Sequence, residues 1–151
     1  MSLLPAHASA TTHPPLPIIT ALSEPFWQGV AERKLMIVEC LDCGHLIHVP
    51  RPVCNRCLST NLGHREMSGR ATLYAYTVTV QAFHPFYVDK VPYVSAVVEF
   101  EEQAGLRMTT ILVDCQEDEL AVGLPVEVAW TEAGPDWVLP YFRPRTVGAS
   151  R

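Results

Sequence analysis

The spacing of the cysteines constrains the fold more than any other feature of this chain. Four of the five cysteines form two pairs of equal spacing, Cys40-x-x-Cys43 and Cys54-x-x-Cys57, with ten residues between the pairs. Two such knuckles joined by a short hairpin place four sulfurs at the corners of a tetrahedron, as in a structural zinc site. Because four thiolates leave no open coordination position, the predicted ion is structural; iron is the alternative that the spacing leaves open.

The residues around the first knuckle predict a β-ribbon. Leu35 to Glu39 is typical of a strand that delivers Cys40, and Leu46 to Val49 is typical of the returning strand of a hairpin. Gly44 follows Cys43 directly and can adopt the positive φ that a tight knuckle needs. With four cysteines available, His45 and His48 are interpreted as hairpin surface residues and not as ligands.

The segment before the ribbon divides into a tail and a helix. Residues 1–20 contain four prolines among Ala, Ser, Thr and His and have no helical or strand period, which predicts a flexible tail. A short helix is predicted from Glu24 to about Lys34, with Ser23 as N-cap and Pro25 in the first turn.

From Gly69 onward the pattern is β-rich, with breakers between the apolar runs and no long amphipathic helix. Alternation places Tyr74, Tyr76, Val78 and Val80 on one predicted face. The predicted fold class is therefore mainly β: an N-terminal helix, a four-cysteine zinc ribbon, and a five-stranded OB-fold barrel. The five predicted strands are Ala71 to Ala82, Tyr93 to Glu101, Leu106 to Asp114, Pro125 to Thr131 and Trp137 to Phe142. The predicted units are a tail at 1–20, the helix and ribbon at 21–67, the OB-fold at 68–145 and a second tail at 146–151.

Composition narrows the class of protein. Hydrophobic residues make up 48% of the 151 residues, which is enough for a core, and the net charge is −5 with no basic run. An acidic chain of this kind is not expected to bind nucleic acid through phosphate contacts. No segment has the length or hydropathy of a signal or membrane-spanning helix, so no membrane association and a cytoplasmic location are predicted. In that reducing compartment, paired cysteines are metal ligands more often than disulfides.

No motif of an independent enzyme accompanies the cysteines. The sequence has no P-loop, no G-x-G-x-x-G, no nucleophile elbow and no H-E-x-x-H. Cys115 follows an apolar run and is interpreted as a core or strand-end thiol, not a nucleophile. No catalytic residue is therefore predicted.

Several short motifs, in a fixed order, resemble a known family. They are Phe26-Trp27-x-Gly29, the C-x-x-C-Gly knuckle, Pro50-Arg51-Pro52-x-Cys54, Ser68-Gly69, Val91-Pro92-Tyr93, Gly123-x-Pro125-Val126 and Leu139-Pro140-x-Phe142-Arg143-Pro144. Together they cover about Glu24 to Pro144 and resemble the acyl-CoA-associated proteins with a rubredoxin-like zinc ribbon and an OB-fold, catalogued as domain of unknown function thirty-five. Arg33-Lys34 departs from the family, which commonly has glycine before the ribbon strand.

The resemblance implies an accessory subunit. Members of the family are typically partners of thiolase-like enzymes that act on acyl-CoA in β-ketothiolase, acyltransferase or retro-aldol steps of lipid metabolism, and the partner supplies the catalytic residues. A CoA thioester is then the expected ligand of the heteromeric complex. Its phosphates require cations, and the candidates are Arg51, Arg56, Arg143 and Arg145.

The sequence is compatible with an alternative function and with two interpretations of the aromatic residues at the chain ends. The alternative function is of a different class, a single-stranded nucleic-acid module in which aromatic residues of the OB-fold stack on bases, although the missing basic groove disfavours it. Phe26, Trp27, Trp137 and Phe142, together with Val30, Leu139 and Tyr141, either form an exposed docking surface or close the barrel.

Overall fold

A computed structural model describes residues 13–146 of the chain. The elements are α1 (Glu24–Ala31), β1 (Leu35–Cys40), β2 (Leu46–Ile47), β3 (Leu62–Met67), β4 (Arg70–Thr79), a 3₁₀ helix (Pro85–Tyr87), β5 (Tyr93–Phe100), β6 (Arg107–Leu112), a second 3₁₀ helix (Glu117–Glu119), β7 (Pro125–Glu132) and β8 (Val138–Pro144). Most of each predicted tail, 1–12 and 147–151, lies outside the described residues. No helix within 13–146 is long and apolar enough to cross a bilayer.

Helix α1 begins where the sequence predicted and ends three residues early. The Ser23 hydroxyl does not cap it, because this side chain bonds Thr20 instead. The helix ends at Ala31, and the Lys34 amide then donates to the Gly29 carbonyl at 2.8 Å. A Cβ at Gly29 would lie 2.5 Å from Met36 Cγ, so glycine is required where the helix crosses β1.

The ribbon is a three-stranded sheet in the order β2-β1-β3. Its first two strands agree with the prediction, whereas β3 was not predicted from the sequence. Strand β3 pairs with β1 over six positions, from Leu35–Met67 to Cys40–Leu62. Only the first and last residues of β3, Leu62 and Met67, are large and apolar, so the strand has no alternating pattern. The segment forms a strand because it pairs with the buried strand β1.

The five remaining strands form a closed barrel in the order β4-β5-β6-β8-β7. Neighbouring strands are antiparallel except β6 and β8, which make a short parallel contact. This confirms the predicted fold class of helix, ribbon and OB-fold barrel. Val98, Phe100, Val126 and Phe142 fill the barrel and are at most 2% exposed. The predicted first barrel strand was too long, since β4 ends at Thr79.

A β-bulge in β4 makes one face assignment wrong. Leu73 pairs with Val98, whereas Ala75 pairs with Val97, so the alternation shifts by one residue at Tyr74. Directly opposed residues share a face, and Tyr76 lies opposite the buried Ala96. Tyr76 and Val78 therefore lie on the same side of the sheet as Ala96, although both are at least 40% exposed. Tyr74 instead packs under the Arg107 guanidinium at 3.5 Å.

One hydrophobic core joins the ribbon to the barrel. Leu35 and Ile37 of β1 belong to the same buried cluster as Val98 and Phe142 of the barrel. A second, smaller cluster lies at the knuckles and contains Val38, Ile47, Cys40 and Cys54. The inner part of the ribbon thus depends on the barrel, and only the knuckles have separate apolar contacts.

Replacing Leu35 with Ala should therefore destabilise ribbon and barrel together, by about 2–5 kcal/mol, because the cavity opens in their shared core. Denaturant unfolding followed by circular dichroism and by amide resonances of both parts measures this. Leu58→Ala, at an exposed position, should change little. Loss of the ribbon with unaltered barrel unfolding would contradict the shared core.

Candidate functional site

The two knuckles present their cysteines through similar backbone turns. After β1, the Gly44 amide donates to the Cys40 carbonyl at 2.8 Å, and Gly44 has a φ of 70° as predicted. In the second knuckle the Leu58 amide donates to the Cys54 carbonyl at 3.0 Å, and Leu58 has a φ of 63°. Leucine thus occupies the left-handed position that glycine occupies in the first knuckle, which local sequence preference would not predict.

The four predicted sulfurs converge on one point. The Sγ atoms of Cys40, Cys43, Cys54 and Cys57 all lie within 4.8 Å of one another. Cys40 and Cys57 are separated by 3.5 Å, and Cys43 and Cys54 by 3.7 Å. Sulfurs bound about 2.3 Å from one tetrahedral zinc ion are ~3.8 Å apart, so the donor set fits zinc.

The protonation of these thiols also favours a cation. Burial opposes ionisation of Cys54, but the amides of Cys57 and Arg56 donate to its sulfur and lower its pKa to about 7. The Ser59 amide favours a Cys57 thiolate, yet the adjoining sulfurs of Cys43 and Cys40 oppose it and raise its pKa to about 12. The adjoining sulfurs thus oppose ionisation of Cys57, and a bound cation would offset that repulsion.

A hydrogen-bond network that the sequence analysis missed ties the knuckles together. The Asp42 carboxylate accepts from the Ser59 hydroxyl and from Asn61 Nδ2, the latter at 2.7 Å. The Ser59 bond is the larger cause of a lowered pKa at Asp42, and the Asn61 bond adds to it. An acidic residue inside C-x-x-C was the available signal, but its partners are 17 and 19 residues away.

The two hairpin histidines differ from each other. Neither belongs to the sulfur cluster, as predicted. His48, however, is not a surface residue: its ring lies 5.7 Å from Phe26, and burial lowers its pKa. The expectation was wrong because His48 faces the junction between α1 and the barrel, a contact that the hairpin sequence cannot reveal.

Cys115 lies apart from the metal site. Burial raises the pKa of its thiol, and the carboxylates of Glu119 and Asp118 raise it further. A protonated thiol beside negative charges is a poor nucleophile. This agrees with the structural interpretation of Cys115.

The four candidate arginines fall into two pairs. Arg143 binds Glu127 at 2.9 Å, and Arg145 binds Glu101. Arg51 and Arg56 are exposed beside the second knuckle and form no salt bridge within residues 13–146. Only this second pair has uncompensated charge available for an anion.

Four of the seven residues considered for a docking surface at the chain ends are core residues. Phe26, Val30, Leu139 and Phe142 are all at most 9% exposed, so they close the barrel and cannot form the docking surface. Trp27 and Trp137 remain half-buried, with ring centroids 6.2 Å apart. Alternation along β8 points Phe142 into the core. Phe26 and Val30 of α1 pack in the same core.

Other apolar side chains are exposed at the end of β4. Tyr76, Val78, Val80 and Phe83, which we call the β4-end surface, follow one another along the chain beyond the bulge. Val80 and Phe83 are 75% and 81% exposed. From the sequence, Tyr76, Val78 and Val80 were placed on one face of a barrel strand and were not predicted to bind a protein partner.

Comparison with known families agrees with this architecture. The profile described as "ChsH2, rubredoxin-like zinc ribbon domain" matches residues 27–63, and the one described as "ChsH2, C-terminal OB-fold domain" matches residues 64–131. A DUF35 domain-containing scaffold protein of Methanocaldococcus jannaschii is 33% identical over 78% of this chain and 87% of its own length. The chain belongs to the DUF35 family.

Further relatives in this family carry more specific descriptions. A probable enoyl-CoA hydratase alpha subunit of Thermomonospora curvata is 38% identical over 79% of this chain, although the match spans only 36% of that protein. A solved structure described as an Ltp2-ChsH2(DUF35) aldolase contains a chain that is 35% identical, with a TM-score of 0.78. The match covers 85% of this chain and 98% of that one. A DUF35 structure from Sulfolobus solfataricus, 19% identical with a TM-score of 0.55, shares the fold over 72% of this chain and 77% of its own.

Changing any one of the four ligand cysteines to Ser should reduce zinc retention, because a hydroxyl is not a thiolate donor. The knuckles should loosen while the barrel stays folded, since Leu35 and Ile37 remain in the shared core. Metal analysis and amide NMR measure both effects. Cys115→Ser should retain a full complement of zinc, and unchanged zinc in all four ligand variants would exclude the site.

Proposed function

We propose that this chain is a non-catalytic accessory subunit that binds a thiolase-like partner and assists the binding or turnover of an acyl-CoA. The observation that carries the proposal is the similarity to a chain of the structure described as an Ltp2-ChsH2(DUF35) aldolase. The match covers 98% of that chain. The hydratase-subunit description of the Thermomonospora curvata relative supports acyl-CoA chemistry. The reaction would be a β-ketothiolase, acyltransferase or retro-aldol step that the partner catalyses, in lipid metabolism and in the cytoplasm, where the thiols stay reduced.

The chemistry of the metal centre supports an accessory role. Four sulfurs complete a tetrahedral shell, so a bound zinc ion would have no position for water or substrate. Cys40, Cys43, Cys54 and Cys57 would hold the ion, and the ion would fix the knuckles. Its contribution is structural.

Partner binding is assigned to the β4-end surface. Its residues leave apolar area in water that the barrel core does not use. Val80 and Phe83 are the most exposed of the four, and aromatic or aliphatic side chains of this kind form the anchors of interfaces.

The double variant Val80→Asp with Phe83→Asp should abolish co-purification with the thiolase-like partner, because each buried anchor contributes on the order of 2 kcal/mol or more. Zinc content and circular dichroism should stay normal, since both side chains are exposed. Ile18→Asp is the matched control, an apolar residue that is 89% exposed and outside the surface. A complex retained by the double variant would rule out this docking site.

CoA phosphates are assigned to Arg51 and Arg56. Both lie beside the second knuckle with no acidic partner in the part of the chain that the structure describes. Arg143 and Arg145, which the sequence analysis also proposed, would first have to leave Glu127 and Glu101. A phosphate gains most from cations that are not already neutralised.

The double variant Arg51→Gln with Arg56→Gln should weaken acyl-CoA binding to the complex about tenfold or more. This is the effect of losing a hydrogen bond to a charged group. Titration calorimetry of the purified complex measures this. Arg143→Gln should have a much smaller effect. Equal affinity in the wild-type complex and the double variant would refute the phosphate assignment while leaving the docking surface untouched.

A further inference from the structure

A cavity of about 420 Å³ opens at one end of the barrel, away from the cysteine knuckles. The ends of β5 and β6, the middle of β8 and the first 3₁₀ helix surround it. Its walls include the apolar side chains of Val94, Ile111 and Ala133. Sites for small molecules typically measure roughly 300–1,000 Å³ and are mostly apolar with a few polar groups.

Tyrosines contribute phenol hydroxyls to the lining of this cavity. Tyr87 and Tyr141 hold their hydroxyls 3.4 Å apart, and the Tyr87 ring stacks on Tyr93 at 4.9 Å. One hydroxyl can donate to the other, which leaves the second donor without a partner in the described part of the chain. Burial raises the pKa of Tyr141, and its contact with Tyr87 raises it further, so the hydroxyl stays protonated and can donate.

The charged side chains around the opening disfavour an ionic ligand. Lys90 is already held by the Phe86 carbonyl and Asp89, both at 3.0 Å, and lies over the Phe86 ring. Asp114 and Glu132 are acidic, and Glu132 pairs with Arg33 at 3.8 Å. Nothing in this lining offers a free cation to a carboxylate or phosphate. A neutral ligand fits these surroundings.

We propose that this cavity is a binding site for a neutral, mostly apolar molecule that carries one carbonyl group. The apolar walls take the hydrocarbon part, and the Tyr87–Tyr141 pair donates one hydrogen bond to the carbonyl oxygen. The site does not depend on the accessory role proposed above, because all of its lining residues belong to this chain. It can therefore be tested without a partner subunit and without CoA.

The test uses two probes of nearly equal shape, 2-acetylnaphthalene and 2-ethylnaphthalene, with the purified, zinc-loaded full chain. Saturation-transfer NMR measures binding, and amide shifts at Tyr93, Val94 and Ile111 locate it. The ketone should bind about fivefold more tightly than the hydrocarbon, the effect of one net hydrogen bond. The double variant Tyr87→Phe with Tyr141→Phe should remove this preference while leaving binding of the hydrocarbon unchanged, because either hydroxyl of the pair can donate to the ketone.

With full-length chains, three results would overturn the proposal. They are an undiminished preference for the ketone in the double tyrosine variant, shift changes confined to other parts of the chain, and no binding of either probe. Pro14 is buried in the cavity wall, so a variant lacking residues 1–12 is included. Binding by that variant alone would assign the cavity to the chain's own N-terminal segment and would also refute the proposal.

Discussion

The burial of β1 on both faces is the constraint on which the rest of the structure depends. Leu35 and Ile37 point into the core shared with the barrel, while Val38 and Cys40 point to the knuckle cluster. Side chains of a strand alternate between its faces, so one short strand serves both cores. The metal centre is consequently positioned by the barrel, although the ion's own ligands are local in sequence.

This arrangement explains which parts of the fold were predictable. The cysteine ligands follow from spacing alone, because each knuckle is closed by bonds within five residues, such as Gly44 to Cys40. The barrel strands follow from alternation and from breakers such as Gly105 and Gly123. Strand β3 was not predicted because only its pairing with β1 identifies it as a strand, and β1 lies more than twenty residues earlier in the sequence.

The features of the site that were not predicted from the sequence also depend on contacts between residues far apart in the chain. The bulge at Tyr74 changes which face Tyr76 occupies, and bulges depend on cross-strand register that alternation cannot supply. Arg143 and Arg145 looked available in sequence, yet their carboxylate partners are 16 and 44 residues away. Burial of Phe26 and His48 likewise results from tertiary packing. Charge counts and local patterns identify candidates, and long-range contacts decide which of them remain free.

The proposed surfaces are neighbours in the barrel sheet. Val78 of the β4-end surface lies directly opposite Val94, and Val94 lines the tyrosine cavity. Opposed residues in an antiparallel pair are in contact range, so a partner seated on Val78 would lie close to the cavity wall. If partner binding changes the affinity of the cavity for a carbonyl ligand, that ligand must change the affinity for the partner by the same factor. The bulge at Tyr74 decides which wall residue is involved, because without the one-residue shift Val78 would lie opposite Tyr93 and face away from Val94.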